Sequence, residues 1–152
     1  MTEVELTQRE ADILISMEKC SICDEGYEWT PEKPLAIPLE SCDRKEKFML
    51  DLSRRVQIAL KVTYQNRTRE TIILVRLDLG GGPHRNPNGV EVPCPHMHIY
   101  REGYGDKWAD HVPPDKFRDT NDIWMTLIDF MSFCNIIRPP HIKMQKGIPE
   151  YG

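Results

Sequence analysis

"VQIALKVTYQNRTRETIILVRLDL", residues 56–79, is the stretch whose reading decides the fold. Val56, Ile58, Leu60, Val62 and Tyr64 alternate with Gln57, Lys61, Thr63 and Gln65. A period of two places one set on a buried face and the other on a polar face, so the segment predicts a half-buried strand. "QNRTRE" reads as a short polar connection. "TIILVRLDL" then predicts a second strand, with Ile73, Val75, Leu77 and Leu79 on one face and Ile72, Leu74, Arg76 and Asp78 on the other. The two strands are expected to form an antiparallel hairpin.

Toward the N-terminus, "LTQREADILISMEKC" predicts a helix ending near Cys20. Thr7 followed by Glu10 makes a capping box, and Leu6 is placed to staple the first turn. Residues 24–43 read as irregular, because Pro31, Pro34 and Pro38 fall close together. Alternation in "LAIPLE" allows a short strand there, confined by Pro38 to a sheet edge. "CDRKEKFMLDLSRR" reads as a turn or short helix.

Toward the C-terminus, "GGGPHRNPNG" is dense in turn residues and predicts no regular structure. "CPHMHIYRE" predicts a third strand, and "GYGDKWADHVPPDKF" a loop. "DTNDIWMTLIDFMSFCNI" predicts a helix capped by Asp119 or Thr120, with Ile123, Trp124, Leu127, Ile128, Met131 and Cys134 as its core stripe. The expected fold is therefore α+β: an antiparallel sheet of three to five strands packed against an N-terminal and a C-terminal helix. It forms one domain over residues 1–152. The expected parts are a helix within 1–23, an irregular acidic-to-basic segment at 24–55, the sheet at 56–101, a helix at 119–137 and an extended tail at 138–152.

Composition narrows the function classes. Hydrophobic residues make up 39% and charged residues 29%, as in a globular rather than a disordered chain. The longest apolar run is Ile72–Val75, too short for a bilayer, so no membrane partner is expected. The acidic start, "MTEVELTQREAD", lacks the features of a secretory leader, and five cysteines have no framework spacing. A cytoplasmic, reduced chain is the expectation. Residues 1–43 carry 3 basic and 11 acidic groups, whereas residues 44–85 carry 10 basic and 4 acidic. The basic middle keeps RNA available as a partner, although the whole-chain pI is about 5.7.

The candidate chemistry centres on "PHMHIYREGYGDKW", residues 95–108. His96 and His98 share one face of a strand, and Met97 and Ile99 turn toward the core. The histidines are then expected to face solvent or a cleft. If the strands at 71–79 and 95–101 pair, Asp78 approaches them. His84 and Arg85 lie in the preceding loop, and Asp106 and Lys107 in the following one. Two chemistries fit. In the first no cofactor is required: His96, His98 and His84 act as acid–base groups with Arg85, while Arg76, Lys107, Tyr104 and Trp108 bind substrate. In the second His96, His98, Asp78 and Asp106 hold a divalent transition metal. "CSIC", residues 20–23, has zinc-knuckle spacing without a second ligand pair.

"LDLGGGPHRNPNGVEVPCPHMHIYREGYGDKW" and the helix "LIDFMSFCNI" resemble a family of uncharacterised bacterial proteins of about this length, over residues 50–138. That resemblance implies no assigned activity. The layout also resembles small toxins of bacterial toxin–antitoxin modules, which cut RNA with histidines and basic residues on a compact sheet. The acidic balance departs from that class. The toxin likeness implies cleavage of an RNA phosphodiester at the histidine-rich site. The alternative is a non-enzymatic module that binds a protein partner, such as an antitoxin-like or defence-system protein, or a phage-encoded inhibitor.

Overall fold

The computed structural model describes residues 5–55 and 61–145. In chain order these form α1 (Gln8–Ser16), β1 (Lys19–Ser21), β2 (Tyr27–Trp29), β3 (Leu35–Ser41), β4 (Lys47–Arg55), β5 (Lys61–Thr68) and β6 (Ile72–Leu79). There follow β7 (His84–Arg85), β8 (Glu91–Val92), β9 (His96–Ile99), β10 (Ala109–His111), α2 (Ile123–Phe133), β11 (Ile136–Arg138) and β12 (Ile142–Met144). Eight strands make one mixed sheet, in the order β10-β9-β6-β5-β4-β3-β1-β11. The expected sheet of three to five antiparallel strands is thus too small, and its edge is wrong: β1 and β11 pair in parallel. Two small pairs, β2–β12 and β7–β8, stand beside it.

The hairpin at the centre is as expected, but longer at its turn. Val62 and Tyr64 are buried, and the alternation runs on through Asn66 and Thr68, so "QNRT" is strand and not connection. The chain turns at Arg69 and Glu70, both with positive φ (49° and 69°). A bulge corrects the faces of β6. Asn66 pairs with Val75 and Arg67 with Ile73, so Leu74 is the extra residue and Ile73 moves to the face of Arg67. Val56, Ile58 and Leu60, with Gln57, lie outside the described residues.

Two segments expected to be irregular are strands. β4 alternates Phe48, Leu50, Leu52 and Arg54 inward, a period-two pattern that the flanking charges obscure. β3 is an interior strand, not an edge: it lies between β4 and β1. Pro38 is nevertheless accommodated by the edge argument. β1 ends with Ser21 opposite Leu39, so Pro38 sits where β3 has one neighbour. The chain after Arg138 is also paired rather than free up to Met144, because β12 lies along β2. Arg54 holds that pair by donating to the carbonyls of Trp29 and Gln145.

The core is one side of the sheet. Leu52, Tyr64, Leu77 and Met97 stand in register across β4, β5, β6 and β9, and all are buried. Each such side chain contributes about 1.5–3 kcal/mol. α1 adds Leu14 behind its capping box, as the sequence predicts, though it stops at Ser16 and leaves Cys20 to β1. α2 adds Leu127, Phe130, Met131 and the C-terminal Cys134. Its cap is Asp122, not Asp119 or Thr120, and Trp124 and Ile128 of the expected stripe face outward. Lys19, fully buried, ties the two helix ends together: its ammonium donates to the carbonyls of Ile15, Met17 and Cys134 at 2.9, 2.9 and 2.7 Å. Burial pushes this ammonium down to about 8.

Candidate metal centre

The same registers that bury Leu77 and Met97 put Arg76 opposite His98 and Asp78 opposite His96 on the other face. Residues directly opposite in adjacent strands point the same way, so these four side chains are neighbours by construction. β5 extends the polar rows with Gln65 opposite Arg76 and Thr63 opposite Asp78. The Thr63 hydroxyl donates to Asp78 Oδ1 at 3.1 Å.

Of the two expected surroundings, solvent or a cleft, solvent is excluded: the histidines are only 3% (His96) and 0% (His98) exposed, and His96 lines a cavity. The segments on either side of β9 cover them. Gly80 to Pro83 turn the chain into the β7–β8 hairpin, which brings the ring of His84 to 4.6 Å from that of His98 and 5.9 Å from that of His96. Asn86 docks the hairpin on β10, with both amide bonds to Ala109 (3.0 and 2.8 Å). The loop after β9 returns Asp106 to the cluster.

Main-chain carbonyls sit beside both Nδ1 atoms. His96 Nδ1 lies 3.2 Å from the carbonyl of Val92, and His98 Nδ1 lies 2.7 Å from the carbonyl of Asp106. A carbonyl only accepts, so each Nδ1 is placed to donate, and a metal on either ring would then take Nε2. The two Nε2 atoms converge on one carboxylate oxygen: Asp78 Oδ2 is 3.1 Å from His96 Nε2 and 3.3 Å from His98 Nε2. Burial works against the charge of Asp78. Contact with His98, the Arg76 guanidinium and the Thr63 hydroxyl nevertheless holds its carboxyl well below the usual range. Burial lowers the pKa of His96 despite the attraction of Asp78, which keeps that ring neutral near pH 7.

Two imidazole nitrogens so close to one carboxylate call for positive charge between them, as protons or as a cation. Arg76 supplies part of it, donating to His98 Nε2 at 3.0 Å, to Asp78 at 3.2 Å and to Asp106 at 2.8 Å. The three ligand atoms also fit a metal. All lie within 4.8 Å of one another, and among the described residues no other group of three His, Cys, Asp or Glu meets that condition. Bonds of about 2.0–2.2 Å place neighbouring ligands of one ion about 3.0–3.5 Å apart, which matches the two distances to Asp78. Main-chain carbonyls on the far ring nitrogens are the usual way a protein orients metal-binding imidazoles. The Asp78–His96–His98 triad can therefore hold a metal ion.

Other expected site residues fall differently. Asp106 takes part through its carbonyl and its bond to Arg76. His84 joins the cluster, its Nε2 donating to the carbonyl of Lys107 at 2.7 Å. Arg85 is exposed and pairs with Glu91 at 3.3 Å, since alternation in β7 turns it away from His84. Tyr104 and Trp108, on either side of Asp106 in the loop, meet edge-on at 5.6 Å. "CSIC" makes no closed site: Cys20 approaches Cys42 at 2.7 Å, and Cys23 lies in the turn before β2. Sequence reasoning missed Lys61, Thr63 and Cys94. With Arg76, Asp78, His96 and Gly80 these line a cavity of about 360 Å³. The polar half of the alternation in β5 was the available signal for Lys61 and Thr63.

No helix among the described residues is long and apolar enough to cross a membrane. Neither the curated proteins nor the solved structures contain a match, so the toxin likeness finds no counterpart there. Residues 6–136 match a family of unknown function, DUF6978, and so span nearly all of the segment that carries the family resemblance. The chain belongs to that family.

Proposed function

We propose that this chain cleaves RNA phosphodiesters with a divalent transition metal held by Asp78, His96 and His98. The observation that carries the reading is the convergence of both imidazole Nε2 atoms on Asp78 Oδ2, at the wall of a cavity that also holds Lys61 and Arg76. A metal so held polarises a bound water and lowers its pKa toward about 7, which supplies a nucleophile at neutral pH. Lys61 and Arg76 neutralise the phosphate that enters the cavity, and their charge stabilises the added negative charge of the transition state. His84 is the one histidine of the three that is not fully buried, and the Lys107 carbonyl fixes its tautomer. Its Nδ1 takes the proton of the attacking water as one P–O bond forms and passes it to the leaving oxygen as the other breaks.

The test is cleavage of labelled single-stranded RNA by purified chain. Cleavage supported by Zn2+ or Mn2+, stopped by a chelator and absent in Asp78→Asn is the expected result. A folded, metal-loaded chain that cuts no RNA sinks this reading and returns weight to the protein-binding alternative.

A further inference from the structure

A cavity of about 580 Å³ lies apart from the metal triad. It lies on the other side of Asp106, between the β5–β6 turn and the loop after β9. Arg69, Thr71, Ile73, Tyr104, Asp106 and Lys107 line it. Asp106 joins the two places physically. Its carboxylate bonds Arg76, its carbonyl orients His98, and its side of the loop forms this wall.

The wall is built to stay open. Arg101 and Gly105 exchange two main-chain bonds of 2.9 Å, closing the loop on itself. Gly103 (φ 82°) and Gly105 (φ 62°) take the left-handed conformations that the closure needs. Trp108 lies under the Arg101 guanidinium, 4.4 Å from its ring centre, and Tyr104 meets Trp108 edge-on at 85°. A three-layer stack thus fixes an aromatic ring that is 43% exposed. A tyrosine held in place without being buried is poorly used as core, and well used as a stacking platform.

We propose that this cavity is a nucleobase subsite, taking the base next to the phosphate that the metal site engages. The base stacks on Tyr104 with Ile73 as the facing apolar surface. Thr71 offers a hydroxyl to the base edge, and Arg69 and Lys107 meet the phosphate of the same nucleotide. The choice of a nucleotide as ligand rests on the phosphodiesterase reading above, but the subsite is testable without turnover.

Titration of the metal-free full-length chain with each of the four ribonucleoside 5′-monophosphates, and with ribose 5-phosphate, tests it by calorimetry. At least one nucleotide is expected to bind about tenfold or more tightly than ribose 5-phosphate, the scale of one base stack. Tyr104→Ala is expected to erase that difference and Tyr104→Phe to keep it, with the metal affinity of the triad unchanged in both. Equal binding of nucleotides and ribose 5-phosphate overturns the proposal, as does a preference that survives Tyr104→Ala. The outcomes separate from the cleavage reading: nucleotide binding without RNA cleavage leaves the subsite standing, and cleavage without nucleotide preference removes the subsite alone.

Discussion

Asp78 Oδ2 stands 3.1 Å from His96 Nε2, and the two residues face each other in register across β6 and β9. Both elements are interior strands, so the pair is held by the sheet and not by loops. Asp78→Asn keeps the shape but removes the anionic ligand. It is expected to lower the affinity for Zn2+ by about a hundredfold or more, while the circular dichroism spectrum stays that of the wild type. Calorimetric titration of the metal-free chain checks this. Unchanged affinity would place any bound metal elsewhere.

Arg76 competes with a metal for the same electrons. Its guanidinium contacts Asp78, Asp106 and His98 at once. Arg76→Met removes a fixed positive charge from beside the ion. Metal affinity is expected to rise by about tenfold, while the KM for RNA rises because the phosphate loses a cation. The opposite sign of the two effects is the diagnostic. A fall in both affinities would mean that Arg76 positions the triad.

Asp129 of α2 gives a prediction for pH. It is 8% exposed and bonds the main chain and guanidinium of Arg118 at 2.9–3.3 Å. Burial opposes its charge, but these bonds win and hold the carboxyl below its usual value. A depressed carboxyl stabilises the fold above its unfolded pKa, near 4, and loses that contribution as pH falls through the folded value. Asp129→Asn is expected to cost about 1 kcal/mol at pH 7, since Arg118 is largely exposed. The gap from wild type closes below about pH 4. Urea unfolding at a series of pH values measures it.

Lys19 gives a prediction for stability outside the site. Lys19→Met fills the same space but leaves the carbonyls of Ile15, Met17 and Cys134 without this donor. A loss of about 1–3 kcal/mol is expected, with faster amide exchange at the C-terminal turns of both helices. Stability equal to wild type would show that the ammonium gains nothing over a methyl group there.

Much of this was legible in the residues. Alternation in "KVTYQN" and "RLDL" gives the central hairpin, and Thr7 with Glu10 gives the start of α1. The strands β4 and β3 were harder, because Lys45, Glu46 and Lys47 and the prolines mask a period-two pattern that only pairing on both sides makes stable. The small parallel contacts of β1 with β11 and of β2 with β12 carry no local signal at all. Three residues cannot announce a partner more than a hundred positions away.

The site divides in the same way. The sequence by itself determined that His96 and His98 share a face and that Arg76 and Asp78 share another, because side chains two apart in a strand must. It determined that a glycine-rich turn precedes them and a glycine-flexed loop follows. Only the tertiary structure decided that the two faces are one. That depends on the register of β6 against β9, which a shift of one residue would reverse for every side chain. It also depends on the carbonyls of Val92 and Asp106, groups that every residue possesses and no sequence pattern marks. Their positions turn two buried histidines so that both Nε2 atoms meet one carboxylate.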